Sequence, residues 1–190
     1  MGEFATDEML AIREVPTATM PPPGARLAPD SPNLARLFED HHSMVFRTAY
    51  RVTGSASDAE DVLQTVFLRM MKRTEAVEID RPESYLRRAA VNASLDVVRA
   101  RRDSNSLGVE DMPSSAACTE LRELRDELRH ALATLPPKLA EVFALRFFEG
   151  HSNQEIGKML SMSPIFVAVT VHRARRQLQK WIEANRTQKG

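Results

Sequence analysis

Two short stretches of the chain concentrate arginine, the side chain best suited to bind phosphate. Residues 81–102 contain six arginines against two acids, a net charge of +4, and residues 151–190 contain seven basic residues against two acids, a net charge of +5. The segments 1–33 and 104–120 each carry −3, and the chain of 190 residues is neutral overall. Two separate basic regions predict phosphate contacts at two places, although a solvated helix face gives a similar pattern.

The residues that could catalyse a reaction lack the partners that such chemistry needs. His41 and His42 follow Asp40, but adjacent residues on a helix point about 100° apart, and no further histidine or cysteine pair completes a metal site. No glycine-rich phosphate loop or nucleophile motif occurs. We therefore predict a protein that is not an enzyme and has no catalytic residues, no cofactor and no metal. The single cysteine, Cys118, excludes an internal disulfide and suits a reducing cytoplasm.

The basic region 151–176 has the pattern of two short helices joined by a tight turn. Ser152–Glu155 has the sequence of a capping box at the start of the first helix. Ser163 predicts the cap of the second helix, with Pro164 at its first position. This is the layout of a helix-turn-helix, whose second helix enters the major groove and anchors phosphates with its arginines. An ordinary helical hairpin is the alternative.

Helices must position both basic regions, because apolar residues recur at three- and four-residue steps through most of the chain. Leu, Ala, Arg and Glu dominate the composition and only 6% of residues are aromatic, which favours helices. We predict an all-α fold of two small helical domains joined by a flexible linker. The predicted segments are a Pro-rich, disordered N-terminal tail (1–33), a first domain (34–103), a linker (104–120), a second domain (121–183) and a C-terminal tail (184–190).

Turn-forming residues define the predicted helix boundaries. Gly54 closes the first helix, and Ser57 with Glu60 predicts a capping box at the start of the second. Pro82 suits the first position of the third helix. In the second domain, Pro136-Pro137 ends one helix and begins the next.

Both domains resemble those of the extracytoplasmic-function (ECF) sigma factors of bacterial RNA polymerase. FALRFFEG, SNQEIGKMLSMSP and VHRARRQL look like their promoter-binding domain 4. LFEDHHSMVFRTAYRVTGSASDAEDVLQTVFLRM and ESYLRRAAVNASLDVVRARRD look like the opening helices and the promoter-melting end of their domain 2. The resemblance covers residues 34–182 in the family's domain order. It implies a sigma factor that directs promoter-specific transcription initiation, bound to core polymerase and to the −10 and −35 promoter elements.

The resemblance implies that the second helix binds core RNA polymerase, through the coiled coil of its largest subunit. Acids and an amide at helical spacing present one polar face to a basic partner, although a solvated face would look the same without the family match. A contact with the polymerase flap is also implied. The residues implied in polymerase binding are Asp58, Glu60, Asp61, Gln64 and Phe67.

The resemblance places the −10 element on the third helix. Asn92 and Asp96 match the family's Asn-x-x-x-Asp pair, and an amide offers both a donor and an acceptor to an unpaired base edge. Asp96 has the alternative of orienting a neighbouring arginine. Tyr85 stands where the family usually has Trp, and it either stacks on a base or fills the core. The implied −10 contacts are Arg81, Tyr85, Arg88, Asn92, Asp96, Arg99, Arg101 and Arg102, with Arg87 as a further phosphate contact.

The resemblance places the −35 element on the second helix of the helix-turn-helix. The sequence departs from the family there, because Ile165–Val169 is apolar where relatives often have Gly-Thr-Val followed by Lys, Arg or Ser. Either these side chains contact thymine methyl groups or the patch binds a protein, such as the anti-sigma factor that sequesters most relatives. The implied −35 contacts are Ser163, Pro164, Val167, Ala168, Thr170, His172, Arg173, Arg175 and Arg176.

A stand-alone helix-turn-helix regulator is the alternative to a sigma factor. It explains residues 121–182 but leaves the helix at 58–71 and the basic helix at 81–102 without a role. No apolar stretch reaches the roughly 18 residues of a membrane helix, and the N-terminus lacks a signal pattern. We therefore expect no membrane insertion and a cytoplasmic protein.

Overall fold

The computed structural model describes residues 32–72, 81–103 and 116–189, with side chains for 34–72, 81–103 and 123–185. These residues form seven α-helices and no strand, as the sequence predicts. The helices are α1 (Pro32–Thr53), α2 (Ala56–Met71), α3 (Pro82–Asp103), α4 (Ala116–Thr134), α5 (Pro137–Phe147), α6 (Asn153–Leu160) and α7 (Pro164–Lys189).

Helices α1, α2 and α3 pack together as the first domain. Each contributes small or branched apolar residues at three- and four-residue steps, which form a stripe on one face of the helix. The buried stripes meet in one core that holds Val45, Ala49, Ala59, Val62, Val66, Met70, Leu86 and Ala90. This core fixes the orientation of the outward faces of α2 and α3.

The turn between α1 and α2 differs in one detail from the prediction. Gly54 closes α1 with a positive φ of 72°, which glycine adopts without steric cost. The N-cap of α2 is Ser55, not Ser57, and its hydroxyl accepts a hydrogen bond from the backbone N–H of Asp58 at 3.3 Å. Because α2 begins two residues after Gly54, Ser57 already lies within its first turn.

Helices α4 to α7 form the second domain. Pro136 precedes α5 and Pro137 is its first residue, as predicted. Two helices extend beyond the predicted domain limits: α4 begins at Ala116, inside the predicted linker, and α7 continues to Lys189, through the predicted C-terminal tail. Alanine at the start of α4 and the absence of Gly or Pro from 184–189 both favour helix. Residues 1–31 and 104–115, which hold the predicted tail and most of the linker, lie outside the described residues.

The two domains pack against each other. Val52 at the end of α1 and Val91 and Leu95 of α3 belong to the same buried cluster as Leu132 of α4 and Leu145 of α5. Helix α3 therefore contributes to both cores, with one face toward α1 and α2 and another toward α4 and α5. The face that α3 turns to the second domain is part of the predicted −10 surface.

Candidate nucleic-acid interfaces

The segment 152–166 has the predicted helix-turn-helix geometry. Ser152 and Glu155 form a capping box: the Ser152 hydroxyl accepts from the Glu155 N–H at 3.2 Å, and the Glu155 carboxylate accepts from the Ser152 N–H at 2.7 Å. These hydrogen bonds hold the pKa of Glu155 below its ordinary value. The Ser163 hydroxyl accepts from the Phe166 N–H at 3.2 Å and so caps α7. Both helices of the motif therefore start at residues that satisfy their free N–H groups.

The turn of the motif depends on two backbone features that the sequence analysis missed. Ser161 has a φ of 54°, which places it in the left-handed region and ends α6. Gly157 lies against this turn, where a Cβ would stand 2.6 Å from the Met162 carbonyl oxygen. A side chain at position 157 would thus push the turn away from α6. The sequence feature that could have predicted this close contact is Gly157 itself, a single glycine inside a predicted helix.

One side of α7 faces solvent and carries most of the predicted −35 residues. Two of the predicted residues do not reach that surface. Val167 is fully buried in the second core, and Thr170 is buried with its hydroxyl donating to the Phe166 carbonyl at 2.7 Å. Both lie on the buried stripe that includes Ala174, so packing turns them away from the exposed side of α7. The exposed residues of the predicted set are Ser163, Pro164, Ala168, His172, Arg173, Arg175 and Arg176.

The leading turns of α7 expose apolar side chains. Ile165 is 78% exposed, Phe166 is 50% exposed and Val169 is 41% exposed. Large apolar side chains at this exposure on one helix face are typical of an interaction surface. We call Ile165, Phe166 and Val169 the apolar patch. The exposed arginines Arg173, Arg175 and Arg176 follow the apolar patch on the same helix, so one ligand can contact the patch and the arginines together.

Helix α2 presents a smaller polar face than the sequence analysis predicts. Glu60, Asp61 and Gln64 are exposed together on one side. Phe67 is buried in the first core, because it lies on the apolar stripe of α2. Asp58 is only 8% exposed, and its carboxylate pairs with the Arg101 guanidinium of α3 at 2.7 Å. Asp58 and Phe67 therefore support the face from behind.

The exposed part of the predicted −10 surface lies at the two ends of α3. Arg81 is exposed before the helix, and Asp96 and Arg102 are exposed in its second half. Asp96 accepts from Arg99 at 3.3 Å, which matches the alternative of an acid that orients a neighbouring arginine. Tyr85 is half-buried against the first core, which matches its alternative as a packing residue. Arg101 is held by Asp58.

The middle of the predicted −10 surface is covered by Glu149, which follows α5. Its carboxylate accepts hydrogen bonds from Thr48 at 2.9 Å, Arg51 at 3.1 Å and Arg87 at 2.5 Å, and its side chain is fully buried. Burial raises the pKa of Glu149, but the hydrogen bonds from Arg87, Thr48 and Arg51 lower it by more than burial raises it. The pKa of Glu149 therefore lies below its ordinary value. Glu149 is therefore ionised at neutral pH and ties α1 and α3 to the second domain.

Glu141 of α5 makes a second contact of the same kind. Its carboxylate accepts from the Arg88 Nε at 2.6 Å, from the Asn92 amide at 3.1 Å and from Lys138 at 3.2 Å. Burial raises its pKa, but the positive charges of Lys138 and Arg88 and the hydrogen bonds lower it below the ordinary value. Two predicted −10 residues, Arg88 and Asn92, thus face the second domain.

Sequence reasoning did not identify Glu141 and Glu149 as the partners of the predicted −10 residues Arg87, Arg88 and Asn92. For Glu141, the sequence feature that could have indicated a buried acid is its position between the apolar residues Ala140 and Val142, which are buried. A buried acid needs a cationic or hydrogen-bonding partner. Which partner it takes depends on the packing of the two domains.

The described part of the chain holds neither a metal cluster nor a membrane-spanning helix. Among the side chains of 34–72, 81–103 and 123–185, no three of His, Cys, Asp or Glu gather as a metal site. None of the helices α1 to α7 is long and apolar enough to cross a membrane.

The described residues form a helical protein of two domains, the second of which carries a helix-turn-helix. The family model of Sigma-70 region 2 matches residues 37–104, and that of Sigma-70 region 4 matches residues 125–178. Together these matches span both domains. The chain belongs to the sigma-70 family of RNA polymerase sigma factors, and within it to the ECF group.

Similar curated proteins support the ECF assignment. The ECF RNA polymerase sigma factor SigE of Mycolicibacterium smegmatis is 31% identical over 160 residues, which cover 80% of this chain and 62% of the relative. The chain thus spans slightly less than two thirds of that relative. The RNA polymerase sigma-E factor of Streptomyces coelicolor is 34% identical over 143 residues, which cover 74% of this chain and 80% of the relative.

Among solved structures, the chain is similar to the extracytoplasmic function sigma factor SigJ of Mycobacterium tuberculosis. The TM-score is 0.43 at 21% identity, over 76% of this chain and 52% of that chain. This likeness adds nothing to the family matches.

Proposed function

We propose that this chain directs core RNA polymerase to specific promoters in the cytoplasm, binding polymerase through α2 and promoter DNA through α3 and α7. The observation that carries the proposal is two basic helical surfaces on two domains, together with an acidic face on α2. A regulator that only binds duplex DNA needs α7 alone. The factor makes and breaks no bond, because its contribution is binding energy that favours the open strands.

Polymerase binding is assigned to the exposed face of α2. Glu60, Asp61 and Gln64 lie within one turn of each other, and Leu68 is exposed one turn further on. A polar, acidic face next to one apolar side chain complements a basic, amphipathic coiled coil such as that of the largest polymerase subunit. The Asp58 pair with Arg101 supports this assignment indirectly, since it holds α2 against α3.

The −10 element is assigned to α3 and the residue before it. Arg81 and Arg102 are exposed at the two ends of the helix, where they can contact phosphates, and Arg102 also lies 3.8 Å from the Asp103 carboxylate. Between them, Arg88 and Asn92 face the same direction toward Glu141. An amide and a guanidinium side by side can contact one unpaired base and its phosphate.

The −35 element is assigned to the exposed side of α7. Arg173, Arg175 and Arg176 follow the leading turns and suit phosphate contacts that fix the helix in the groove. The leading turns carry Ala168 and the apolar patch, so we infer apolar contacts with thymine methyl groups there. The same patch is the part of the surface that we assign to an anti-sigma factor, which would exclude DNA from α7.

Run-off transcription with purified core polymerase and genomic DNA fragments tests the proposal. The Asp61→Arg/Gln64→Ala variant reverses charge on the exposed α2 face, and Glu39→Arg makes the same charge change at an exposed position on α1. We expect discrete transcripts with the wild type and with Glu39→Arg, and their loss with the α2 variant.

Two other outcomes of this experiment would contradict the proposal. If no transcript forms, although the protein alone binds specific duplex DNA tightly, the chain acts as a helix-turn-helix regulator. If the α2 variant transcribes as well as the wild type, polymerase binding lies elsewhere on the chain.

A further inference from the structure

The second half of α1 carries an exposed surface that none of the assignments above uses. Arg47 is exposed, Tyr50 is 49% exposed, and Phe46 is half-buried beside Tyr50. We call Phe46, Arg47 and Tyr50 the α1 surface. It combines a guanidinium group with two aromatic rings on adjacent turns of one helix, which is the combination that single-stranded nucleic acids bind.

The charge of this segment favours an anionic ligand. Residues 41–57 contain Arg47 and Arg51 and no acid. The two arginines are four residues apart, so their Cβ atoms lie about 6 Å apart along the helix. Arg51 pairs with Glu149 of the second domain, whereas Arg47 pairs with no acid among the side chains of 34–72, 81–103 and 123–185. An exposed guanidinium without an acidic neighbour suits a phosphate contact.

The aromatic rings make the α1 surface suitable for bases. The rings of Phe46 and Tyr50 stack with centroids 6.4 Å apart and planes 10° apart. Because Tyr50 is half exposed, its ring remains accessible to a further stacking partner. Every base of a single strand has a π-face that can stack on such a ring. An acidic protein segment would use Arg47 but would gain little from Tyr50, so the pair of residues favours single-stranded DNA.

The α1 surface lies next to the beginning of α3. The Glu149 carboxylate accepts a hydrogen bond from Arg51 of α1 at 3.1 Å and another from Arg87 of α3 at 2.5 Å. The guanidinium groups of the two helices therefore reach the same point between α1 and α3. A strand bound along α3 can continue from that point onto α1, where Tyr50 and Arg47 follow.

We propose that the α1 surface binds single-stranded DNA of the opened promoter, beside the segment assigned to α3. Tyr50 stacks on a base, Phe46 supports the Tyr50 ring from behind, and Arg47 contacts a phosphate. This inference rests on the proposed sigma function, and it adds α1 to the helices that hold the promoter.

Fluorescence anisotropy of the full chain with a labelled single-stranded oligodeoxythymidine of about 16 nucleotides tests the role of the rings. Tyr50→Ala should bind this strand about tenfold more weakly than the wild type, because stacking on one base is lost. Tyr50→Phe keeps the ring and is the matched control, so it should bind like the wild type. With a labelled duplex of the same length, Tyr50→Ala should also bind like the wild type, because duplex bases already stack on each other.

The salt dependence of the same binding tests the role of Arg47. Arg47→Ala should reduce the slope of log affinity against log salt concentration by about 0.7, the value for one phosphate of a single strand. Arg36→Ala is the control, because Arg36 is an exposed arginine of α1 that lies near Glu39 and Asp40, and it should leave the slope unchanged. Equal unfolding midpoints in urea should show that all four variants fold like the wild type.

Two results would overturn the inference. One is a wild type that does not bind the single strand, or a Tyr50→Ala protein that binds it as tightly as Tyr50→Phe. The other is a loss confined to Arg47→Ala, which would assign the α1 surface to a charged ligand such as an acidic protein segment. Run-off transcription with core polymerase keeps the proposed function separate: a wild type without transcripts would refute the sigma role, and the anisotropy comparison would still decide whether α1 binds single strands.

Discussion

The substitution Gly157→Ala tests whether the close turn of the helix-turn-helix sets its stability. The new Cβ would lie 2.6 Å from the Met162 carbonyl oxygen, about 0.8 Å inside ordinary van der Waals contact. That oxygen belongs to the backbone, and the Met162 N–H donates to the Gly157 carbonyl at 2.9 Å, so the turn cannot simply rotate away. One of the two segments must move.

Two opposing contributions decide the size of the effect. Alanine in place of glycine inside a helix stabilises it by about 1 kcal/mol. Forcing an extra carbon into a packed contact costs about 1–3 kcal/mol. Because the contacted atom is part of a short turn next to the fully buried Ile156, we expect the larger end of that cost. The net result is a free energy of unfolding lower by about 1–2 kcal/mol.

Urea unfolding followed by circular dichroism measures this change. Gln154→Ala is the control, because it introduces alanine at an exposed position of the same helix and should change stability by less than about 0.5 kcal/mol. Binding to −35 duplex DNA in the holoenzyme should also weaken, since α7 starts at the displaced turn. A Gly157→Ala protein as stable as the wild type, or more so, would refute the reasoning.

Three further predictions follow from burial and charge. Leu145→Ala should lower the free energy of unfolding by about 2–5 kcal/mol, whereas the exposed Leu124→Ala should change it by less than about 0.5 kcal/mol in the same urea titration. Phe166→Ala should reduce retention of a co-expressed inhibitor protein more than retention of core polymerase in a pull-down, and equal losses would contradict the anti-sigma assignment. Burial raises the pKa of Glu141 and Glu149, but their cationic partners bring it below the usual 4.5. The contact between the two domains is therefore stabilised by these acids above pH 4.5, and it weakens as the pH falls through the lowered pKa values. Scattering between pH 7 and pH 3 should show opening only at the acid end.

Local features of the fold were predictable because each depends on a few neighbouring residues. The capping box at Ser152, the proline start of α7 at Pro164 and the left-handed end of α1 at Gly54 follow from side-chain and backbone chemistry within one turn. The apolar patch was also predictable, since Ile165 and Phe166 are large apolar residues at the start of a helix with a separate buried stripe.

Features that depend on packing between distant segments were not predictable. Thr170 is polar, yet it lies on the buried stripe of α7 and bonds its own backbone. Asp58 is a charged residue of the kind usually found at the surface, but it is buried in an ion pair with Arg101, which is 43 residues away in the sequence. The pairing of Arg88 with Glu141 spans 53 residues and depends on how two domains meet. Periodicity within one helix carries no information about such a contact.

The ion pairs between the domains change how the salt dependence of DNA binding should be interpreted. The slope of log affinity against log salt concentration is ordinarily used to count the phosphates that a protein contacts. Where DNA binds Arg87 and Arg88 as proposed, added salt weakens that binding, but it also weakens the ion pairs of these arginines with Glu149 and Glu141. The two effects oppose each other, so the slope for the free factor will count fewer phosphates than the open protein contacts.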